Sequence, residues 1–214
     1  MKTKTISLCF ILSMLFSGFT YAEMTEDVIK LQKRWAQIKY EIPQDQHKNE
    51  FDKLLVEAET ILQKNKLNPE SLMWHAVIEF SYANAFNTIN PFALHFMNNA
   101  KNHLEEAIIF GQGTVLGLAC TRLGTLYYKV SSSPLGFGDN DKAEMLLKKG
   151  LEINPKDIDA NFFFADFLVR QGEYNKANTY LEKAKNASPR MGMELADQSR
   201  QKEIERLIQT IGKS

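Results

Sequence analysis

Apolar and small residues recur along the chain at helical rather than strand spacing. Between Asp157 and Pro189, Phe164, Ala165 and Leu168 fall at i, i+1 and i+4. After Gly172-Glu173-Tyr174 come Ala177, Leu181 and Ala184 at i, i+4 and i+7. The pattern predicts two short amphipathic helices joined by a tight turn and closed by Pro189. Gly172 stands where the first helix must end in a left-handed residue, and Ala177 and Ala184 are small where the two helices approach closely.

Such a pair cannot bury its own apolar face, so further copies are expected in the same chain. Pro155 lies 34 residues before Pro189, and Ala143, Leu147 and Gly150 repeat the same spacing ahead of it. Ala100, Leu104 and Ala107 give a third ladder, and Ala58, Leu62 and Asn65 a degenerate fourth. Leu123-Gly124 and Tyr127 precede the Ala143 ladder, but Gly138 comes about seven residues later than a plain repeat allows, so Ser131 to Phe137 is an insertion between paired helices. Asn87 to Pro91 is a second insertion of this kind.

The ends of the array follow from the same periodicity. Val28, Leu31, Trp35 and Ile38 form one stripe from Thr25 to Tyr40, ended by Pro43, and Phe51, Leu54, Leu55, Ala58 and Leu62 form the inward face of a partner. Asn68-Pro69, Asn154-Pro155 and Ser188-Pro189 follow three of the ladders, and Gly111 and Gly113 break the helix that carries Ala100, Leu104 and Ala107. Glu194 to Ile211 carries Leu195, Ile204, Leu207, Ile208 and Ile211 on one face and Asp197, Arg200, Lys202, Glu203 and Arg206 on the other. A helix with a polar back is what the open end of a repeat array needs.

These residues resemble the tetratricopeptide repeat, whose signature is a Leu-Gly pair and Tyr on a first helix, then Ala, an aromatic and Ala on a second, then Pro. Leu123-Gly124-x-x-Tyr127 matches it unaltered. In the Asp157 to Pro189 copy Phe164-Ala165 replaces Leu-Gly and Leu168 replaces Tyr. The resemblance implies an all-α, right-handed helical solenoid of about nine helices: pairs at 25–64, 69–110, 114–152 and 157–186, and a capping helix at 194–211, all within one domain at 23–214. Leu123-Gly-Thr-Leu-Tyr-Tyr-Lys-Val, Pro134-Leu-Gly-Phe-Gly-Asp, Asn154-Pro, Asp159-Ala-Asn-Phe-Phe-Phe-Ala-Asp-Phe-Leu, Ser188-Pro-Arg and Leu195-Ala-Asp together look like a family of small exported bacterial tetratricopeptide proteins. A more distant similarity is to the periplasmic tetratricopeptide protein associated with tripartite (TRAP) transporters of organic acids. It rests on widened helix turns and an export signal, so it carries over no ligand residues.

Met1 to Ala22 holds Lys2 and Lys4, the apolar run Ile6 to Phe19, then Thr20-Tyr21-Ala22, which reads as a cleaved secretory signal with the mature chain starting near Glu23. An uncleaved anchor is the competing reading, but the apolar run falls short of the about 20 residues a membrane span wants. The expectation is therefore a periplasmic protein whose mature chain does not span the membrane. Without Lys2 and Lys4 the chain has 24 basic against 26 acidic residues, which argues against nucleic acid as a partner. Cys9 goes with the signal, so Cys120 cannot form an internal disulfide, and its place three residues before Leu123 on a buried face suits a small apolar filler.

Chemistry-bearing motifs are sparse. His75 and Glu79 lie at i, i+4, and His103 and Glu106 at i, i+3, but each offers only two candidate ligands with no third nearby in sequence. His95 and His103 are about 12 Å apart along a helix. Gly136-Phe137-Gly138 lacks the Gly-Lys-Ser/Thr of a phosphate loop and follows no strand. No nucleophile motif is present. The expectation is no enzyme, no metal and no cofactor.

Registry of the copies assigns Thr121, Thr125, Tyr128 and Lys129 from one repeat, and Phe162, Asp166, Val169 and Arg170 from the next, to the concave side. Fixed helical spacing, both charge signs and an amphipathic Tyr128 suit an extended peptide or protein segment. The binding residues are thus expected to be Thr121, Thr125, Tyr128, Lys129, Phe162, Asp166 and Arg170, for an unidentified partner, with a homo-oligomer compatible. The alternative is a ligand-binding accessory of an organic-acid transporter. Phe162, Phe163, Phe164 and Phe167 cover more than one helix face, so either one ring leaves the core or all pack on neighbouring helices. For Ser131 to Gly138, Leu135 and Phe137 are expected to fold back over the array's edge rather than stand free as a contact loop.

Overall fold

The computed structural model describes residues 26–86 and 90–212. Met1 to Ala22, read from the sequence as a secretory signal, and most of the Asn87 to Pro91 insertion lie outside the described residues. Nine α-helices are present among those described: α1 Glu26–Tyr40, α2 His47–Lys64, α3 Pro69–Asn84, α4 Pro91–Phe110, α5 Gly113–Lys129, α6 Asn140–Ile153, α7 Ile158–Arg170, α8 Tyr174–Lys185 and α9 Glu194–Ile211. A short 3₁₀ turn at Gln44–Gln46 links α1 to α2. The only strand-like pairing among the described residues is a single bridge between Ser132 and Gly138. The all-α repeat solenoid read from the sequence is the fold.

Helix starts are set by side chains that satisfy free backbone N–H groups. Asn68 accepts from Ser71 and Asn90 from Phe92, each followed by proline at the first helical position. Asp139 accepts from Lys142 and Asp157 from Ala160. Gly172 has φ +76° between α7 and α8, a conformation that disfavours any residue with a Cβ.

Each ladder is the seam of a pair. Ala58 and Leu62, then Ala100, Leu104 and Ala107, then Ala143, Leu147 and Gly150, then Ala177, Leu181 and Ala184 are all buried, whereas Asn65, the third position of the degenerate ladder, lies just past the end of α2 and is exposed. At Gly124 a methyl group would sit 2.8 Å from Leu147 Cγ and 3.1 Å from the Ala143 carbonyl, so the α5–α6 crossing distance depends on the missing side chain. Cys120 is buried and unpaired with another cysteine, and burial pushes its thiol above the usual value.

The odd-numbered helices do more than stack. α1 packs on α3, α3 on α5, α5 on α7 and α7 on α9, and α9 also packs on α1. The inner helices therefore form a closed circuit of five, with α2, α4, α6 and α8 outside. Glu194 at the start of α9 feels the charge of Lys33, while Tyr40 at the end of α1 feels Arg200 and Glu203, so α1 and α9 run in the same direction. Besides covering the last pair, α9 joins the two ends of the array.

Closure settles the Phe run. Phe162, Phe163, Phe164 and Phe167 are all buried. The Arg200 guanidinium of α9 lies 4.3 Å from the Phe162 ring centre and 4.6 Å from that of Phe163, a cation–π cover on the face that an open array would leave bare. The Ser131–Gly138 loop divides the expectation made for it. Phe137 folds back edge-on against Tyr127 at 5.8 Å, whereas Leu135 stays 63 % exposed.

Candidate functional site

Three polar clusters stand out inside this scaffold. The first centres on Asp159, at the start of α7. Its Oδ2 accepts from Arg122 Nη2 of α5 at 2.7 Å and from Arg190 Nη1 at 3.0 Å; its Oδ1 accepts from Arg200 Nε of α9 at 2.8 Å. Arg190, in the α8–α9 connection, also grips Asp197 through Nε at 2.9 Å and Nη2 at 2.6 Å. Arg200 also pairs with Glu203. Burial would raise the Asp159 carboxyl, but Arg190, Arg200 and Arg122 hold it well below the usual carboxylate range. Nearby, burial pushes the Tyr40 phenol up to about 12. Three guanidinium groups from α5, α9 and the α8–α9 connection share the two oxygens of Asp159, so this cluster is a structural clasp.

The second cluster centres on Asp166. Its Oδ2 accepts from the Tyr128 hydroxyl at 2.7 Å and faces Lys129 Nζ at 3.4 Å and Arg170 Nε at 3.9 Å. Lys129 and Arg170 also flank the Tyr128 ring at 5.7 and 5.3 Å. Burial, with Asp166 opposite, pushes the Tyr128 phenol well above its usual value. Two cations share one carboxylate here, and Lys129 and Arg170 are exposed.

Four of the seven residues expected to bind a partner, Tyr128, Lys129, Asp166 and Arg170, thus come together. The other three are turned into packing. Thr121 is buried, donates to the Gly117 carbonyl at 3.0 Å and fills the space left by Gly150, where a methyl would meet its Oγ1 at 2.2 Å. Thr125 is buried and donates to the Thr121 carbonyl at 2.8 Å. Phe162 lies beneath Arg200.

The third cluster was not legible as a unit in the sequence. α3 carries His75 and Glu79, α4 carries His103 and α2 carries Glu59. His103 Nδ1 lies 2.8 Å and His75 Nδ1 3.5 Å from the same oxygen, Glu79 Oε2, while Glu59 Oε2 is 3.0 Å from His75 Nε2. The two imidazole rings are edge-to-face at 4.7 Å. Burial would raise the Glu79 carboxyl, but the facing imidazoles of His103 and His75 hold it below its usual value. The signal that could have found this cluster is hairpin symmetry, since Glu79 and His103 each lie 12 residues from Pro91, on opposite sides.

A surface pocket of about 390 Å³ lies between the end of α1, α2 and α3, lined by Lys39, Ile42, Gln44, His47, Phe51 and Ser81 among others. No helix among the described residues is long and apolar enough to cross a membrane.

Residues 135–190, which span α6 to α8, match the family model of the tetratricopeptide repeat. Paired helices and small-residue seams make a repeat-type helical solenoid, and the match places in it a tetratricopeptide repeat, a unit of the kind that supports protein–protein interaction and is typically non-enzymatic. The crystal structure of MamA is similar over 73 % of this chain and 93 % of its own, at 19 % identity and a TM-score of 0.35. A crystal structure titled as MamA protein is similar over 84 % of this chain and 96 % of its own, at 17 % identity and a TM-score of 0.34. No curated protein matches the sequence.

Proposed function

We propose that this protein is an exported, periplasmic interaction module that docks a peptide or protein segment of a partner at the edge formed by Tyr128, Lys129, Asp166 and Arg170. The observation that carries the reading is the charge arrangement at Asp166: one carboxylate orients two exposed cations, leaving net positive charge beside a mostly buried aromatic. A partner segment offering a carboxylate next to an apolar side chain complements it, because Asp166 fixes the cations in place at low entropic cost. Thr121, Thr125 and Phe162 support the edge from behind rather than touching the partner. Export rests on Met1 to Ala22.

The test is site-specific photo-crosslinking from position 170 in intact cells. A discrete adduct is expected, weakened at least tenfold by K129E and unaffected by K183E on the outer helix α8. An adduct of equal yield in K129E would overturn the reading.

A second reading, a ligand-binding accessory of a TRAP-type organic-acid transporter, is favoured by one feature. The pocket beside Lys39 and His47 has the volume of a small-molecule site and one lysine on its wall. Saturable binding of a small dicarboxylate, lost in K39E, would select it over the first.

A further inference from the structure

Glu79 is 2 % exposed and His75 4 % exposed, deep between α2, α3 and α4. A carboxylate at that depth requires partners for its oxygens, and among the described residues the basic groups that meet it are the imidazoles of His75 and His103. Neither ring nitrogen of His75 makes a hydrogen bond of good geometry, although carboxylate oxygens stand 3.0 and 3.5 Å away. Glu59 and Glu106 also lie within coulombic range of His103. Glu59 is about half exposed and Glu106 exposed, so the deeply buried carboxylate of the cluster is Glu79.

We propose that His75, Glu79 and His103 form a binding site for a divalent transition-metal ion of the zinc class, with Glu59 as the outer partner of His75. One ligand atom from each of the three residues lies within 4.8 Å of the others. In a tetrahedral site with bonds of about 2.0–2.1 Å, neighbouring ligand atoms stand about 3.3–3.4 Å apart. The separations of 2.8 Å for His103 and 3.5 Å for His75 from Glu79 Oε2 bracket that value, so small rotations open the cluster to its ion. Two nitrogens and one carboxylate favour zinc-class ions over calcium and magnesium, which prefer oxygen ligands throughout. Glu59 beside His75 Nε2 gives the carboxylate–histidine–metal order that fixes a ring's tautomer and aim. His103 and Glu59 are partly exposed, which provides the entry route. The ion would clamp α3 to α4 directly, reach α2 only through Glu59 behind His75, and leave a fourth position free.

The experiment titrates Zn²⁺ into the untagged, chelator-stripped protein by calorimetry. One saturable equivalent per chain is expected. It should disappear in H103A, which alters a partly exposed residue, and persist in H95A, which removes an exposed histidine on the same helix. E59Q should weaken binding about 10- to 100-fold. As a readout that needs no variant, zinc-edge X-ray absorption of the loaded native chain should count two imidazole ligands. Absence of saturable binding, binding unchanged in H103A, or fewer than two imidazoles at the zinc would overturn the proposal.

Discussion

Asp159 and Glu79 are each 2 % exposed, one among α5, α7 and α9, the other among α2, α3 and α4, and their partners differ in kind. Asp159 is surrounded by three guanidinium groups that remain charged at any physiological pH. Glu79 is met by two imidazoles whose charge is conditional. The first cluster is complete within the chain and binds the end of the array to its middle. The second holds its carboxylate between two imidazoles and is the cluster proposed above to take an ion. Burial alone therefore does not separate a structural site from a ligand site in this molecule; the identity of the counter-charges does.

Removing α9 tests the first cluster most severely. A chain ending at residue 193 loses the cover of Phe162 and Phe163, the α1 contact and one of the three Asp159 guanidinia. It should aggregate or lose cooperative melting, as followed by circular dichroism and light scattering, and a soluble truncation with unchanged melting would reduce α9 to an appendage.

D159N is the next largest perturbation. It leaves Arg122, Arg190 and Arg200 facing a neutral amide, and removal of one partner from a buried ionic cluster costs about 3–5 kcal/mol. Urea unfolding at neutral pH measures this, and a loss under about 1 kcal/mol would mean the arginines find water instead. The native chain carries a matching pH signature. Asp159 has its carboxyl lowered on folding, so its stabilisation is fully present above the ordinary carboxylate value and is lost as pH falls through the lower folded value. D159N should flatten that acid limb, while the H103A variant should keep it.

Y128F is the mildest of the three. It deletes the hydroxyl that donates to Asp166 at 2.7 Å but keeps the ring on Phe167. A cost of about 1–2 kcal/mol is expected for a hydrogen bond to a carboxylate near the surface. Thermal or urea denaturation would show it, and no change at all would mean that water replaces the phenol at Asp166.

The seams of the fold were readable in the sequence because close helix approach demands small residues at fixed intervals. Ala143, Leu147, Gly150 and their equivalents encode contacts within a single helix pair. Helix starts were similarly local, as at Asn68-Pro69. Closure was not readable. Arg122, Asp159, Arg190 and Arg200 belong to three helices and a connection, with partners 31 to 41 residues from Asp159, and nothing in a periodic pattern states which repeat returns to meet which. The same limit divided the candidate residues. Registry placed Thr121 and Thr125 on the same stripe as Tyr128, but the approach of α6 at Gly150 covers Thr121, and α9 covers Phe162. His103 was paired in the sequence with Glu106 on its own helix, whereas its closest ligand partner is Glu79 across the hairpin.

The inner helices form a closed circuit through α9 and α1, and native-state hydrogen exchange of D159N against the parent chain tests that closure most directly. Closure requires that amides of α1, distant in sequence from the substitution, lose protection together with those of α9. Protection that stays intact in α1 while α7 to α9 loosen from the C-terminal end inward would describe an open array and contradict closure.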